Sequence, residues 1–207
     1  MVLIIGKYNK SVILTYVGVA CAVLGMVLAM DGGILWAMIC LIIAGICDLF
    51  DGVVARKCKR DEEEKEFGVQ IDSLADMISF IAFPCVLGVQ LMRDISYVVI
   101  PVLIFYTLCG IIRLAWFNMH TNSEGSMTHY DGLPVTYVAL ILPIYYLFES
   151  FVSQALFGWL TAALYCIIAV CFILKIKIKK PRGIWYAIFG VLAIIVTAVL
   201  VAKGMAL

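Results

Sequence analysis

Four aspartates recur at short, regular spacings in two neighbouring stretches that are otherwise apolar. Asp48 and Asp51 fall near the end of the first stretch, and Asp72 and Asp76 fall in the second. At about 100° per residue on an α-helix, each pair lies on one face. Carboxylate oxygens are ligands that Mg²⁺ and Mn²⁺ prefer, and one ionised Asp in a spanning helix costs about 2.5 to 3.5 kcal/mol. The spacing therefore predicts that the two faces meet and share bound cations.

Small residues and an arginine accompany the first pair of aspartates. Gly52 and Ala55 share the face of Asp48 and Asp51 and remove side-chain bulk there, and Arg56 lies beside that face. A flat base or a phosphate could lie against such a surface, and a guanidinium can bind phosphate oxygens through two parallel hydrogen bonds. Two cations about 3.5 to 4 Å apart stabilise the charge that grows on a leaving phosphate. The pattern indicates metal-dependent chemistry on a pyrophosphate.

The elements that carry these residues are predicted membrane spans. Hydrophobic residues make up 65% of the 207 residues and charged residues 14%, and the mean hydropathy is +1.10, which exceeds what a soluble core requires. We predict an all-α, polytopic transmembrane bundle in which residues 1–207 form one membrane-embedded domain. Apolar runs long enough to cross a hydrocarbon layer of roughly 30 Å occur at about 12–30, 34–56, 68–91, 95–117, 133–150, 156–174 and 183–202.

Basic residues accumulate in the short loops on the side of the aspartates. They are Lys7, Lys10, Arg56, Lys57, Lys59, Arg60, Lys65, Lys175, Lys177, Lys179, Lys180 and Arg182. The opposite side has Arg93 and Lys203. Because cytoplasmic loops carry an excess of Lys and Arg, we predict that the aspartates lie at the cytoplasmic face of an integral membrane protein. The N-terminus is then inside and the C-terminus outside.

The aspartate pattern resembles the signature of the CDP-alcohol phosphotransferase family, D-x2-D-G-x2-A-R-x8-G-x3-D-x3-D. In this chain the signature begins at Asp48 and ends at Asp76. Eleven residues, KCKRDEEEKEF, separate Arg56 from Gly68, where the family has about eight. We interpret the difference as a longer cytoplasmic loop. The resemblance implies a six-helix catalytic core, here about 12–174, and the span at about 183–202 is additional.

The resemblance also implies roles for individual residues. Two divalent cations, Mg²⁺ or Mn²⁺, would be held by the first three aspartates with help from the fourth, Asp76, which would also act as the general base. The donor would be a CDP-linked lipid and the nucleotide product CMP. The residues implied in donor binding are Asp48, Gly52, Ala55, Arg56 and Gly68. The family resemblance further suggests a homodimer.

Three further segments resemble one branch of the family, the integral-membrane phosphatidylserine synthases. They are FGVQIDSLADMISFIAFP at 67–84, RLAWFN at 113–118 and DGLPVT at 131–136. Where that branch usually has RLARFN, this chain has Trp116 and so lacks the second arginine. We expect CDP-diacylglycerol and L-serine as substrates, membrane lipid as the surroundings, and no nucleic-acid partner.

The charge of the predicted loop at 118–132 favours an uncharged or zwitterionic acceptor such as serine. It contains no Lys or Arg, whereas an acceptor with its own phosphate requires a basic pocket. Arg113 could bind the serine carboxylate, Asn118 or an acid could bind its ammonium group, and Ser79 lies one turn beyond Asp76. Alternatively, Arg113 only reaches towards the headgroups and Ser79 only bonds its own helix.

Three other interpretations remain open on the sequence. The same chemistry could use glycerol phosphate, inositol or another alcohol, or an ether-linked lipid donor. A cation transporter is a further alternative, because intramembrane carboxylates can line an ion path; a transporter, however, favours acids near mid-membrane at broken helices. The last span could complete a lipid groove or form an oligomer contact.

Overall fold

The computed structural model describes residues 6–7, 12–121, 129–179 and 184–205. Within these ranges the description excludes the side chains of residues 56, 96, 121, 129–131, 178–179 and 184–186. The predicted all-α membrane bundle is confirmed, since the described residues include six helices that are long and apolar enough to cross a membrane. The predicted fifth span is a shorter apolar helical segment, Val135–Phe151.

The main helices follow the predicted spans closely. They are α1 (Ile13–Met30), α2 (Ile34–Lys57), α3 (Glu62–Asp76), α4 (Phe83–Leu91), α5 (Ser96–Thr121), α6 (Val138–Tyr146), α7 (Gln154–Ile173) and α8 (Ile184–Met205). A π-helical segment, Met77–Ala82, joins α3 to α4, so that the two form one span over Glu62–Leu91. Short 3₁₀ segments occur at Arg93–Ile95, Val135–Tyr137 and Leu147–Phe151.

A stripe of small residues lets α1 pack closely against its neighbours. The buried residues of α1 are Thr15, Gly18, Ala22, Gly25 and Ala29. A Cβ atom at Gly18 would lie 3.2 Å from the Cβ of Cys47 on α2, and one at Gly25 would collide with the ring of Phe83 on α4. Because lipid tails are as apolar as Leu, membrane helices associate largely through such close packing. The stripe therefore fixes α1 beside the helices that carry the aspartates.

The long loop predicted between Arg56 and Gly68 is largely helical. α2 continues to Lys57, and α3 begins at Glu62, six residues before the predicted span. The extra residues thus extend α3 by more than one turn beyond its apolar part. Hydropathy located the apolar part of the span but not this polar extension.

The polar start of α3 is stabilised by a capping box. The Asp61 carboxylate accepts from the Glu64 backbone N–H at 2.7 Å, and the Glu64 carboxylate accepts from the Asp61 N–H at 3.0 Å. Both bonds satisfy backbone donors that have no partner inside the helix. Glu63, in the same turn of α3, has a carboxylate oxygen 2.6 Å from the ammonium nitrogen of Lys7. This hydrogen bond and ionic contact raise the pKa of Lys7.

Two tyrosines support the π-helical segment from neighbouring helices. Pro84 has no backbone N–H, so the Phe80 carbonyl lacks the donor that an α-helix would supply. The Tyr106 hydroxyl of α5 donates to this carbonyl at 2.7 Å, and the Tyr165 hydroxyl of α7 donates to the Pro84 carbonyl at 2.6 Å. Both tyrosines are fully buried. Because the hydrocarbon layer offers no water to satisfy a carbonyl, these bonds hold the segment in place.

A small antiparallel sheet links the segment before α6 to the segment after α7. Its strands are β1 (His129–Asp131) and β2 (Lys177–Lys179), with Tyr130 opposite Ile178. Gly132 follows β1 with φ +84, and a Cβ there would lie 2.7 Å from the Phe172 carbonyl oxygen, so this turn requires glycine. The sequence had predicted only a loop and a basic run in these two places.

Helix α8 packs on the outside of α2 and α6. The Lys203 ammonium lies 2.8 Å from a Glu149 carboxylate oxygen and 4.5 Å from the centre of the Tyr146 ring. Nearer its start, the Phe189 ring lies 5.4 Å from that of Tyr137. The helix is therefore attached to the α6 region at both ends.

Candidate active site

Three of the four predicted aspartates converge between α2 and α3. One carboxylate oxygen from each of Asp48, Asp51 and Asp72 lies within 4.8 Å of the other two. Metal–oxygen distances for hard divalent cations are about 2.0 to 2.6 Å, so oxygens at this separation can bind one ion together. The donor set therefore fits a divalent cation, with carboxylates as the ligands such ions prefer.

The fourth aspartate, Asp76, lies beside this group. It lines the same pocket as Asp48, Asp51 and Ser79. Asp76 is the last α-helical residue before the π-helical segment. The π-helical segment thus begins directly after Asp76 and contains Ser79, which lines the same pocket. Such π segments frequently occur at functional sites.

A threonine of α1 orients one of the carboxylates. The Thr15 hydroxyl donates to Asp51 Oδ2 at 3.0 Å, and both side chains are buried. Groups that bond to a ligating carboxylate fix its direction and tune its affinity for metal. Thr15 had no predicted role, although it is the one polar member of the small-residue stripe on α1.

The residues predicted to bind the CDP-lipid lie at the aspartate end of α2 and α3. Gly52 and Ala55 are half-buried on α2, and Arg56 occupies its last turn, with a side chain outside the described residues. At Gly68, an added Cβ would lie 3.2 Å from Arg60 Nη1. A second guanidinium therefore approaches the predicted donor site from the connection between α2 and α3. In the sequence, Arg60 contributed only to the predicted orientation of the chain in the membrane.

The predicted acceptor residues lie on the π-helical segment and on α5. Ser79 is buried and lines their pocket. Arg113 is buried, its Nε donates to the Leu133 carbonyl at 3.1 Å, and its guanidinium lies over the Phe117 ring. Such burial does not fit the alternative in which Arg113 only reaches the headgroups.

The last predicted acceptor residue also bonds to another helix. The Asn118 amide donates to the Ser73 hydroxyl at 2.9 Å, which links α5 to α3 beside Asp72. Trp116, at the position of the missing arginine, has the Lys175 ammonium 5.1 Å from its ring centre. A positive charge from the end of α7 thus lies near the position where the related pattern has one on α5.

Fold and site together define a polytopic helical membrane protein with a carboxylate cluster suited to divalent cations. The chain belongs to the CDP-alcohol phosphatidyltransferase family, whose model matches residues 8–171. The predicted family resemblance is therefore confirmed. The match ends before α8, which lies outside it.

Several relatives carry names that specify a serine acceptor. The chain is 35% identical over 159 residues to an archaetidylserine synthase of Methanothermobacter thermautotrophicus, covering 77% of this chain and 64% of the relative. It is 35% identical over 113 residues to the CDP-diacylglycerol–serine O-phosphatidyltransferase of Saccharomyces cerevisiae, covering 51% and 40% respectively. For the enzyme of the same name from Bacillus subtilis the identity is 28% over 98 residues, covering 47% and 52%. The chain thus spans between 40% and 64% of the length of these relatives.

Proposed function

We propose that this protein transfers a phosphatidyl group from CDP-diacylglycerol to L-serine, giving phosphatidylserine and CMP. The observation that carries the proposal is the convergence of three signature aspartates within 4.8 Å at the meeting of α2 and α3. The family membership supports the donor class, and the names of the relatives support serine as the acceptor.

In the proposed mechanism the aspartates would hold two divalent cations, Mg²⁺ or Mn²⁺. Such cations would supply positive charge that neutralises the pyrophosphate and stabilises the departing CMP. Asp48, Asp51 and Asp72 would be the principal ligands, with help from Asp76. Thr15 keeps the Asp51 carboxylate in its direction. The faces of Gly52, Ala55 and Gly68, with Arg56, accept the nucleotide and its phosphates.

Asp76 is the proposed general base. It takes the proton from the serine hydroxyl, and the serine oxygen then forms a bond to the lipid-side phosphorus. The bond between that phosphorus and the bridging oxygen breaks, and CMP leaves with the electron pair. Ser79 supports this assignment, because it shares the pocket of Asp76 and could hydrogen-bond to the incoming serine.

Arg113 and Asn118 remain the proposed ligands of the serine carboxylate and ammonium groups. In the structure each also donates a hydrogen bond to a neighbouring element, Arg113 to the Leu133 carbonyl and Asn118 to the Ser73 hydroxyl. We propose that they bind serine from these positions at the edge of the site. The arrangement would couple acceptor binding to the position of the segment that precedes α6.

The proposed location of the site is the cytoplasmic face of the membrane. Support comes from the excess of Lys and Arg at the aspartate end of the bundle, according to the positive-inside rule. A homodimer remains a proposal that rests on the family resemblance alone.

The proposal is tested by following CMP release from purified protein in lipid nanodiscs. CDP-diacylglycerol would be offered with L-serine, glycerol phosphate, inositol and no alcohol. We expect CMP release only when L-serine is the alcohol offered, with phosphatidylserine as the lipid product. Release only with glycerol phosphate or inositol would overturn the acceptor and leave the donor chemistry intact.

A second candidate donor is a CDP-activated archaetidyl lipid. It is favoured by one observation, the name of the archaetidylserine synthase that matches 77% of this chain. The same assay with this donor at equal concentration would discriminate between them through the ratio of kcat/KM values. A preference for the archaetidyl donor would change the lipid class while the aspartate chemistry stood.

A further inference from the structure

An apolar groove runs beside the aspartate pocket, between α2, the start of α6 and α8. Its lining includes Gly45 and Asp48 of α2, Tyr137 and Ala139 near the start of α6, and Phe189 and Ala193 of α8. Asp48 is the only charged residue among the described residues that line it. We propose that α8 is the outer wall of the binding groove for a hydrocarbon chain of the CDP-lipid, with Phe189 and Ala193 contacting that chain.

The proposal rests on the proposed function and on the continuity of two pockets through Asp48. The Asp48 side chain lines both the groove and the pocket that contains Asp51 and Asp76. A ligand whose phosphates lie at the aspartates can therefore extend an apolar chain into the groove. A soluble nucleotide would leave this apolar surface uncovered, and covering it favours binding by about 25 cal/mol per Å².

The floor of the groove is formed by residues with little or no side chain. A Cβ atom at Gly45 would lie 2.5 Å from the Cβ of Ala139, so α2 and α6 are in very close approach there. Small residues at this crossing keep side chains out of the space above it. Phe189 and Tyr137 are both half-buried, with ring centres 5.4 Å apart, and they form one edge of the groove.

Helix α8 presents one narrow face to the bundle. Ala193, Val196 and Leu200 are buried, and their spacing is that of a single helical stripe. Ile194 and Ala198 lie on the exposed side. Because α8 falls outside the residues matched by the family model, its wall would be a feature added to the core, able to set the choice of lipid chain without altering the aspartates.

A matched pair of substitutions on α8 tests the inference. Ala193→Phe places bulk in the groove, and Ala198→Phe makes the same change on the exposed face of the same helix. Each full-length variant would be assayed in detergent micelles with L-serine and two donors, CDP-dioleoylglycerol and CDP-dihexanoylglycerol. Ala193→Leu is a smaller addition at the same site, in case the larger one impairs folding.

We expect Ala193→Phe to lower kcat/KM for the long-chain donor relative to the short-chain donor by about tenfold. This is the effect of excluding roughly two methylene groups from contact. Ala193→Leu should change the ratio in the same direction by less, and Ala198→Phe should leave it at the wild-type value.

Three results would overturn the role of α8. One is an equal loss with both donors in Ala193→Phe and Ala193→Leu, which would give α8 only a structural role. Another is an unchanged donor ratio in both Ala193 variants. The third is a change of oligomeric mass in these variants without a change of donor ratio, which would make the face a contact between copies.

Photolabelling separates this inference from the proposed function. A CDP-lipid with a diazirine in its chain would be photolysed on the wild-type protein, and labelled peptides would be mapped by mass spectrometry. We expect label within 184–196, competed by unlabelled CDP-dioleoylglycerol and reduced in Ala193→Phe. Label confined to other helices overturns the inference even if the enzyme is active. Failure of the wild type to release CMP overturns the proposed function, whereas label on α8 would still stand.

Discussion

The aspartate cluster and the predicted acceptor residues are positioned by different kinds of contact. The aspartates lie on two helices joined by the short connection 58–61, so their helical spacing brings their faces together. The acceptor residues come from the π-helical segment and from α5, and two of them also bond to other elements, Leu133 and Ser73. Local spacing is therefore sufficient to predict the convergence of the aspartates, whereas the contacts of the predicted acceptor residues depend on packing that spacing does not reveal.

Removal of divalent cations should have the largest effect and should act on the aspartate cluster alone. Without cations, three carboxylate oxygens within 4.8 Å would repel one another and could not neutralise a pyrophosphate. We expect excess chelator to abolish CMP release and added Mg²⁺ or Mn²⁺ to restore it. The measurement is CMP release with metal content followed by mass spectrometry.

Full activity after verified metal removal would contradict the metal-dependent mechanism. The role of the aspartates would then be no better defined than that of the predicted acceptor residues. Native mass spectrometry of the metal-free protein serves as the control that chelation leaves the fold intact.

Replacement of Asp76 should separate proton transfer from metal binding within the cluster. Asp76→Asn keeps the size of the side chain but removes the base, so we expect kcat to fall by about 10²-fold or more. Binding of CDP-diacylglycerol, measured by calorimetry, should be retained because the three closest carboxylates remain. Asp31→Asn, the same change at an exposed residue after α1, is the matched control and should leave kcat unchanged. Near-normal turnover of Asp76→Asn would mean that another group is the base.

The fold shows the same division between what spacing predicts and what packing decides. Hydropathy predicted the main spans, and the sequence Asp61-x-x-Glu64 could have predicted the capping box that starts α3. The π-helical segment was not predictable, because Pro84 signals a missing donor to the Phe80 carbonyl but does not reveal that Tyr106 of α5 replaces it.

The site itself follows this rule residue by residue. Asp48, Asp51 and Asp72 converge as their helical faces predicted. Thr15 could not be assigned, since its partner lies 36 residues away on α2. The strand pair His129–Asp131 and Lys177–Lys179 was missed for a different reason. The alternation of lysine and isoleucine over 175–179 is a strand signal that went unused, whereas the partner segment His129–Asp131 is too short to give one.

Substitution of Arg113 is the most direct test of the predicted acceptor site. If its guanidinium binds the serine carboxylate, Lys can replace the charge but not the planar pair of donors. We expect Arg113→Lys to raise the KM for serine more than that for the CDP-lipid, and Arg113→Ala to raise it by about ten- to a hundredfold, since one charge-assisted hydrogen bond contributes about 1.5 to 3 kcal/mol. Steady-state kinetics with each substrate varied in turn is the measurement.

The bond from Arg113 to the Leu133 carbonyl gives this experiment a second outcome. Equal weakening for both substrates, with a lower melting temperature, would assign Arg113 to holding the segment before α6. Asn118→Ala provides a comparison, because it removes a bond to Ser73 on α3 and also a proposed serine contact. If Arg113→Ala and Asn118→Ala both raised the KM for serine selectively, the acceptor residues and the aspartates would belong to one pocket.

Thr15 should show the smallest effect, because it acts on the metal only through Asp51. Thr15→Val keeps the shape of the side chain but removes the hydroxyl that donates to Asp51 Oδ2 at 3.0 Å. Loss of a partner of a ligating carboxylate typically weakens metal affinity by about tenfold or more, so the Mg²⁺ concentration for half-maximal CMP release should rise by about tenfold while kcat at saturating metal changes little. Thr15→Ser should retain the wild-type value because it keeps the hydroxyl. Thr107→Val, which removes a hydroxyl that contacts Cys85 instead of an aspartate, should not alter the metal dependence. A different outcome would be a lower kcat for Thr15→Val at saturating metal with an unchanged half-maximal Mg²⁺ concentration. The Thr15 hydroxyl would then have a structural role in the packing of α1 against α2 and no role in metal binding.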